Sequence, residues 1–276
     1  MSEQKRKAAA FRALHTRSGA FVIPNPWDAG SAKILTHVGF EALATTSAGL
    51  AFALGRSDGA VSREETLANA RAIVEATHLP VSADLENGFG HSPEKVAETI
   101  QLAARAGLVG GAIEDATGDS DKPIYDFTLA VERIATAVEA ACALDIHFTL
   151  TARAENFLHG RPDLDDTIKR LQAFEKAGAD VLYAPGLPSL EAIREVCLAV
   201  SRPVNVVAGL SGPAFSLQQL ADAGVKRVSV GSALSRAALG AFFRAASEMK
   251  DTGTFNFARD ALPYAEANAL MKASLQ

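Results

Sequence analysis

The sequence predicts an α/β protein folded as one (β/α)8 TIM barrel. Three observations lead there: eight short apolar runs alternate with amphipathic stretches, glycines recur at the helix exits, and polar residues recur where the apolar runs end. The strand segments are residues 20–24, 42–46, 80–84, 109–114, 147–152, 180–184, 203–207 and 226–230. Helical patterns cover 28–38, 62–77, 93–106, 127–143, 164–177, 189–199, 216–222 and 232–249. Strand–helix alternation means a parallel sheet, and eight units favour closure into a barrel over an open doubly wound sheet.

Local chemistry supports the elements in turn. Ser62 with Glu65 makes a capping box, and Ser92-Pro93 puts proline in a first helical turn. Val38-Gly39, Ala106-Gly107, Ala177-Gly178 and Ala223-Gly224 each precede a strand, as glycine in a left-handed helix exit should. A dinucleotide-binding open sheet would need G-x-G-x-x-G after its first strand, where this chain has Ile23-Pro-Asn-Pro-Trp-Asp-Ala-Gly30. One barrel takes about 250 residues. Residues 1–250 are therefore assigned to the barrel, and 251–276 to a C-terminal helical arm of the same domain, on the apolar pattern Ala265, Ala267, Leu270 and Met271 after Pro263.

Composition narrows the function. A net charge of −5 argues against nucleic acid as the main partner, because phosphate binding needs a basic surface. No apolar run is long enough to span a membrane, and the basic start lacks the apolar core of a signal peptide. Cys142 and Cys197 fall inside helical patterns and are expected to be reduced, which suits the cytoplasm.

The chemistry-bearing residues lie at strand ends, which a barrel gathers at one mouth. Asp84 and Glu86 follow the third strand and, alternating on an extended chain, should point the same way. Glu114 ends the next strand. Three carboxylates brought together repel, and a hard divalent cation, Mg²⁺ or Mn²⁺, relieves them. Asp115 should face the other way, in a capping or supporting role. Arg153 closes the fifth strand; it either pairs with Glu114 or Glu155 or grips an anionic substrate, and substrate contact is the favoured reading. Ser47, Ala48 and Gly49 offer backbone N–H groups for an oxyanion, or form only a tight turn. Asp58 sits in a polar loop long enough to act as a lid, and Trp27 serves either as core or as pocket wall. Gly231-Ser232 stands where barrels bind phosphate, or caps the last helix. No strand carries a lysine at its C-terminal end, which disfavours a Schiff-base aldolase.

Over roughly residues 10–245 the chain resembles the isocitrate lyase/phosphoenolpyruvate mutase superfamily. Asp84-Leu-Glu86-Asn-Gly88-Phe-Gly90 echoes its D-x-D-x-G-[FY]-G segment, with glutamate for the second aspartate. Ile113-Glu114-Asp115, Ala152-Arg153-Ala-Glu155, Ser47-Ala48-Gly49 and Asp58 match further motifs. The resemblance implies Mg²⁺, an α-oxo carboxylate bound to it, and a pyruvate-like enolate. It also implies dimers or tetramers that swap the eighth barrel helix. Asp84 would ligate the metal, Glu86 and Glu114 would hold its waters, and Arg153 with residues 47–49 and Trp27 would bind substrate.

Two departures restrict this. The loop Ala116–Tyr125 lacks the Lys-[Lys/Arg]-Cys-Gly-His of the isocitrate and methylisocitrate lyases, and Ala184-Pro185-Gly186 replaces the glutamate or histidine found after strand six. The expectation is a Mg²⁺-dependent carbon–carbon lyase for a small α-oxo or 2-hydroxy acid, of the oxaloacetate decarboxylase or α-oxocarboxylic acid lyase type. The alternatives are phosphonopyruvate-type C–P chemistry and a non-catalytic oxo-acid-binding protein.

Overall fold

The computed structural model describes residues 1–209 and 214–272, so the last four residues of the expected arm lie outside the described residues. Along the chain the elements are α1 (Glu3–Thr16), β1 (Phe21–Ile23), α2 (Ala29–Val38), β2 (Leu43–Ala44), α3 (Ser47–Ala53), α4 (Arg63–Glu75), β3 (Val81–Asp84) and α5 (Pro93–Arg105). They continue as β4 (Gly110–Glu114), α6 (Phe127–Cys142), β5 (Thr149–Arg153), α7 (Leu164–Ala177), β6 (Val181–Tyr183) and α8 (Leu190–Ala199). The last are β7 (Val204–Val207), α9 (Leu217–Asp222), β8 (Arg227–Ser229), α10 (Ala233–Thr252), a 3-10 turn at Asn256–Arg259, and α11 (Tyr264–Lys272).

All eight expected strands form, and all pair in parallel in the order β1-β8-β7-β6-β5-β4-β3-β2. Between β1 and β2 the wall is joined by Ala44 N–H donating to the Pro24 carbonyl at 3.1 Å. The result is a nearly closed (β/α)8 barrel. The capping box at Ser62 and Glu65 is present, and Gly39, Gly107, Gly178 and Gly224 all take positive φ at the helix exits.

Two helices escaped the sequence pattern. α1 opens on a charged run, with only the narrow stripe Ala8, Phe11, Leu14 and His15 buried, too thin for periodicity to reveal. That stripe covers the N-terminal end of the barrel, where Phe11 packs so close to Gly110 that an added Cβ would lie 3.0 Å from its ring. α3 was expected as a turn after strand two. Instead Thr46 caps it by accepting the Gly49 N–H, and Leu50 and Ala51 are buried behind. α11 fulfils the helical pattern after Pro263 and lies against α2, where Lys33 Nζ donates to the Met271 carbonyl at 2.5 Å.

The barrel interior is unusually polar. Ser82, Thr149, Thr151, Asn205, Arg227 and Ser229 are all buried, where aliphatic residues commonly fill the layers. Arg227 donates to Asn205 Oδ1 and Thr151 Oγ1, and its Nη1 lies 3.4 Å from His15 Nε2. His15 donates its Nδ1–H to the Phe11 carbonyl, so Nε2 carries no proton, and the ring meets Phe11 and Phe21 edge-on. Burial, then the Arg227 charge, push its pKa from 6.5 down to about 3. The unfolded chain therefore takes up this proton more readily. The stabilisation is complete above pH 6.5 and is lost as pH falls towards 3, at about 1.4 kcal/mol per pH unit. His15→Gln, which keeps a donor but does not titrate, should flatten this part of the stability–pH curve between pH 6 and 4, read by chemical denaturation.

Candidate active site

Register assembles the site. Glu114 lies beside Arg153 on β4 and β5, and Arg153 beside Tyr183 on β6, while Asp84 ends β3 next to Ala112. Side chains of paired residues share a face, so the strand-end residues meet inside the C-terminal mouth. Arg153 stands at the centre. Its Nη1 is 3.1 Å from Asp84 Oδ1 and 3.2 Å from Glu114 Oε2, and its Nε donates to Glu155 Oε1 at 2.8 Å. The guanidinium also lies over the Tyr183 ring, 5.0 Å from its centroid.

One arginine therefore faces three carboxylates, a fuller pairing than the sequence suggested. Burial acts against the arginine's charge, but Glu155, Glu114 and Asp84 outweigh it and hold its pKa well above the ordinary value. Glu114 is raised, because burial dominates and Arg153 offsets it only in part. Asp84 Oδ2 accepts from the Ser47 hydroxyl at 3.0 Å. Asp58, on an exposed loop, has Ser47 beside it and is raised by partial desolvation and by the Asp84 charge.

Glu86 departs from the expected geometry. The chain leaves the extended conformation there, with φ +49°, so alternation along a strand does not orient it. A left-handed turn does so instead, with the Glu86 N–H donating to Asp84 Oδ1 at 3.2 Å. Burial, Asp84 and Asp58 push the Glu86 carboxyl up to about 7, and its Oε1 is buried without a hydrogen-bond partner.

A half-open cavity of about 100 Å³ lies at this end, and Asn25, Thr45, Asp84, Arg153, Tyr183 and Arg227 are among its lining. Trp27, Ser47, Ala48, Gly49, Asp58, Glu86 and Glu114 are not. Trp27 lines a separate groove with Leu239 and Phe242 of α10, and the Gly49 N–H is used by Thr46. Gly231 offers no free phosphate cradle, since its N–H and that of Val230 both donate to Asn25 Oδ1. Asp115 turns away as expected, accepting from the Glu155 N–H and from Arg170. Asn25, Tyr183, Asn205 and Arg227 were missed. For Asn205 and Arg227 the usable signal was a polar residue inside an apolar strand run.

Among the described residues no three acidic, histidine or cysteine side chains gather as a ready ligand set. Arg153 lies between Asp84 and Glu114. The donor set nevertheless suits a hydrated hard cation. It is all oxygen, it carries more negative charge than Arg153 balances, and it includes the orphaned Glu86 oxygen. Arg153→Met should leave these carboxylates unbalanced and destabilise the metal-free protein by about 3–5 kcal/mol, measured by denaturant titration.

Comparisons with known proteins place the family and agree with the fold. The phosphoenolpyruvate phosphomutase family model matches residues 11–250. A crystallised Burkholderia cenocepacia protein, classed only as a lyase/mutase, is 61% identical with a TM-score of 0.97, covering 99% of this chain and 98% of that one. 2-Methylisocitrate lyase of Escherichia coli is 30% identical over 78% of this chain and 75% of its own. The crystal structure of 2,3-dimethylmalate lyase superposes with a TM-score of 0.86 at 27% identity, covering 96% of this chain and 94% of that one. Matched over most of its length in sequence and in structure, the chain belongs to the phosphoenolpyruvate mutase/isocitrate lyase superfamily.

Proposed function

We propose that the protein is a Mg²⁺-dependent carbon–carbon lyase acting on a small α-oxo or 2-hydroxy carboxylic acid, of the oxaloacetate decarboxylase or α-oxocarboxylic acid lyase type. The observation that carries this reading is the orphaned, buried Glu86 oxygen in an acidic cluster that one arginine does not balance. Asp84 would hold the ion directly, and Glu86 and Glu114 would hold its waters. Mg²⁺, or Mn²⁺ in its place, would supply Lewis-acid polarisation of the substrate's oxo and carboxylate oxygens.

The chain's own residues do the rest. Arg153, held in register by Tyr183 and Glu155, offers a fixed positive charge to the enolate that develops as the C–C bond breaks. Ser47, at the start of α3, fixes the Asp84 carboxylate through its hydroxyl. Asp58, its pKa raised, stands at the mouth as the proton-handling group. The loop 116–125 is pinned by an Ala116–Ile124 bridge and carries neither cysteine nor histidine. The family model's own name keeps C–P chemistry on phosphonopyruvate as the second reading.

Assembly is part of the proposal. α10 buries only Ser235 against its own chain and exposes Phe242 and Phe243, each 72% accessible. That face suits a second copy, in a homodimer or homotetramer. Residues 251–276 are assigned as an arm of the same domain. No helix among the described residues is long and apolar enough to cross a membrane, and a cytoplasmic location is the reading that fits the relatives' chemistry.

Screening 2-oxo and 2-hydroxy acids for pyruvate, glyoxylate and CO₂, beside phosphate release from phosphonopyruvate, tests the reaction class. EDTA should abolish turnover and Mg²⁺ or Mn²⁺ restore it, with Asp84→Ala losing more metal affinity than Glu86→Ala or Glu114→Ala. Undiminished turnover in chelated protein would remove the metal reading. Sedimentation at micromolar protein should show an oligomer, and a stable monomer would remove the assembly reading.

A further inference from the structure

The mechanism above makes no use of Arg133, although its side chain is among the largest fully buried in the molecule, 1% exposed. It projects from α6 and forms no salt bridge among the described residues. Its partners are main-chain carbonyls: Nη1 donates to Gly90 and His91, and Nη2 to Asn87. The Tyr125 ring covers the guanidinium at 4.2 Å. Tyr125 in turn hydrogen-bonds His91 Nδ1 through its hydroxyl at 2.8 Å, so the pair closes over the same segment.

That segment begins at Glu86. Glu86 and Phe89, with φ +49° and +59°, are the only non-glycine residues in the left-handed region among the described residues, and Gly88 between them has φ +80°. Non-glycine residues stay in that region only when their surroundings over-determine it. Thr99 holds the Gly88 carbonyl, and the Asn87 side chain accepts the Phe89 N–H, but each bond fixes one point of the turn. Arg133 bonds on both sides of Gly88 and Phe89, and a single planar fork satisfies carbonyls that must converge. A buried guanidinium without a carboxylate is costly, so a role in stability alone would be better met by an apolar residue.

We propose that Arg133 is a positioning residue for Glu86: by drawing the Asn87, Gly90 and His91 carbonyls onto one guanidinium, it holds the left-handed turn that presents the Glu86 carboxylate to the acidic cluster. The inference rests on the reading that this cluster takes a divalent cation. Arg133 touches neither substrate nor ion and acts through the backbone of residues 86–91.

The test compares Arg133→Met, Arg133→Lys, Glu86→Gln and the two double variants by Mn²⁺ calorimetry, and by amide exchange of residues 86–91 without metal. Arg133→Met should weaken Mn²⁺ binding about 10-fold or more, with Arg133→Lys falling between it and the parent. In the Glu86→Gln background the same replacement should change affinity by less than about twofold, because its route has been removed. An equal loss in both backgrounds overturns the proposal. Exchange at Asn87–His91 should quicken in both Arg133 variants, and unchanged protection overturns it as well. If Arg133→Met does not fold, Arg133→Lys decides by the same two readouts. Should the parent protein take up no Mn²⁺, the metal reading fails, and amide exchange alone then decides on the clamp.

Discussion

The guanidinium of Arg153 is the interaction on which the site depends. It lies within 3.2 Å of Asp84, Glu114 and Glu155, which come from three strand ends, and it keeps mutually repelling carboxylates in one small volume. Burial raises the Glu114 carboxyl even with Arg153 beside it. A partial balance has a functional advantage over a complete one. Enough charge is cancelled for the barrel to fold, and the remainder is what the proposed cation would meet.

Below this layer the polar interior continues through Thr151, Asn205 and Arg227 to His15 on α1. These groups satisfy one another inside the barrel through the Arg227 guanidinium. Tyr183 joins the two halves, its ring against Arg153 and its hydroxyl near Ser229. The rigidity of the site thus comes from hydrogen-bond geometry as much as from packing.

The barrel was legible because its signals are local: a short apolar run, a capping box such as Ser62–Glu65, a glycine at an exit. The gathering of Asp84, Glu114 and Arg153 was legible because strand ends in a barrel have one place to go. α1 was hidden by its narrow stripe, and α3 by a stretch of small residues without periodicity. The φ of Glu86 was not legible, since left-handed backbone at a glutamate is imposed by distant partners such as Arg133. Trp27 was open to either a core or a pocket-wall reading, and it packs beside Gly49 and lines the groove under α10. Asn205 and Arg227 were passed over because an apolar strand pattern draws attention away from the polar residue inside it.

The seat of α1 has a kinetic consequence. With Phe11 pressed against Gly110 and Lys226 donating to the Arg17 and Gly19 carbonyls, the N-terminal end of the barrel is stoppered. Reactant, both fragments and the proton must then share one doorway, the rim where Asp58 stands. A chamber with one doorway imposes a queue. In the proposed cleavage, a fragment held by Arg153 would leave after the one nearer the rim, and its product inhibition would be competitive with the incoming acid.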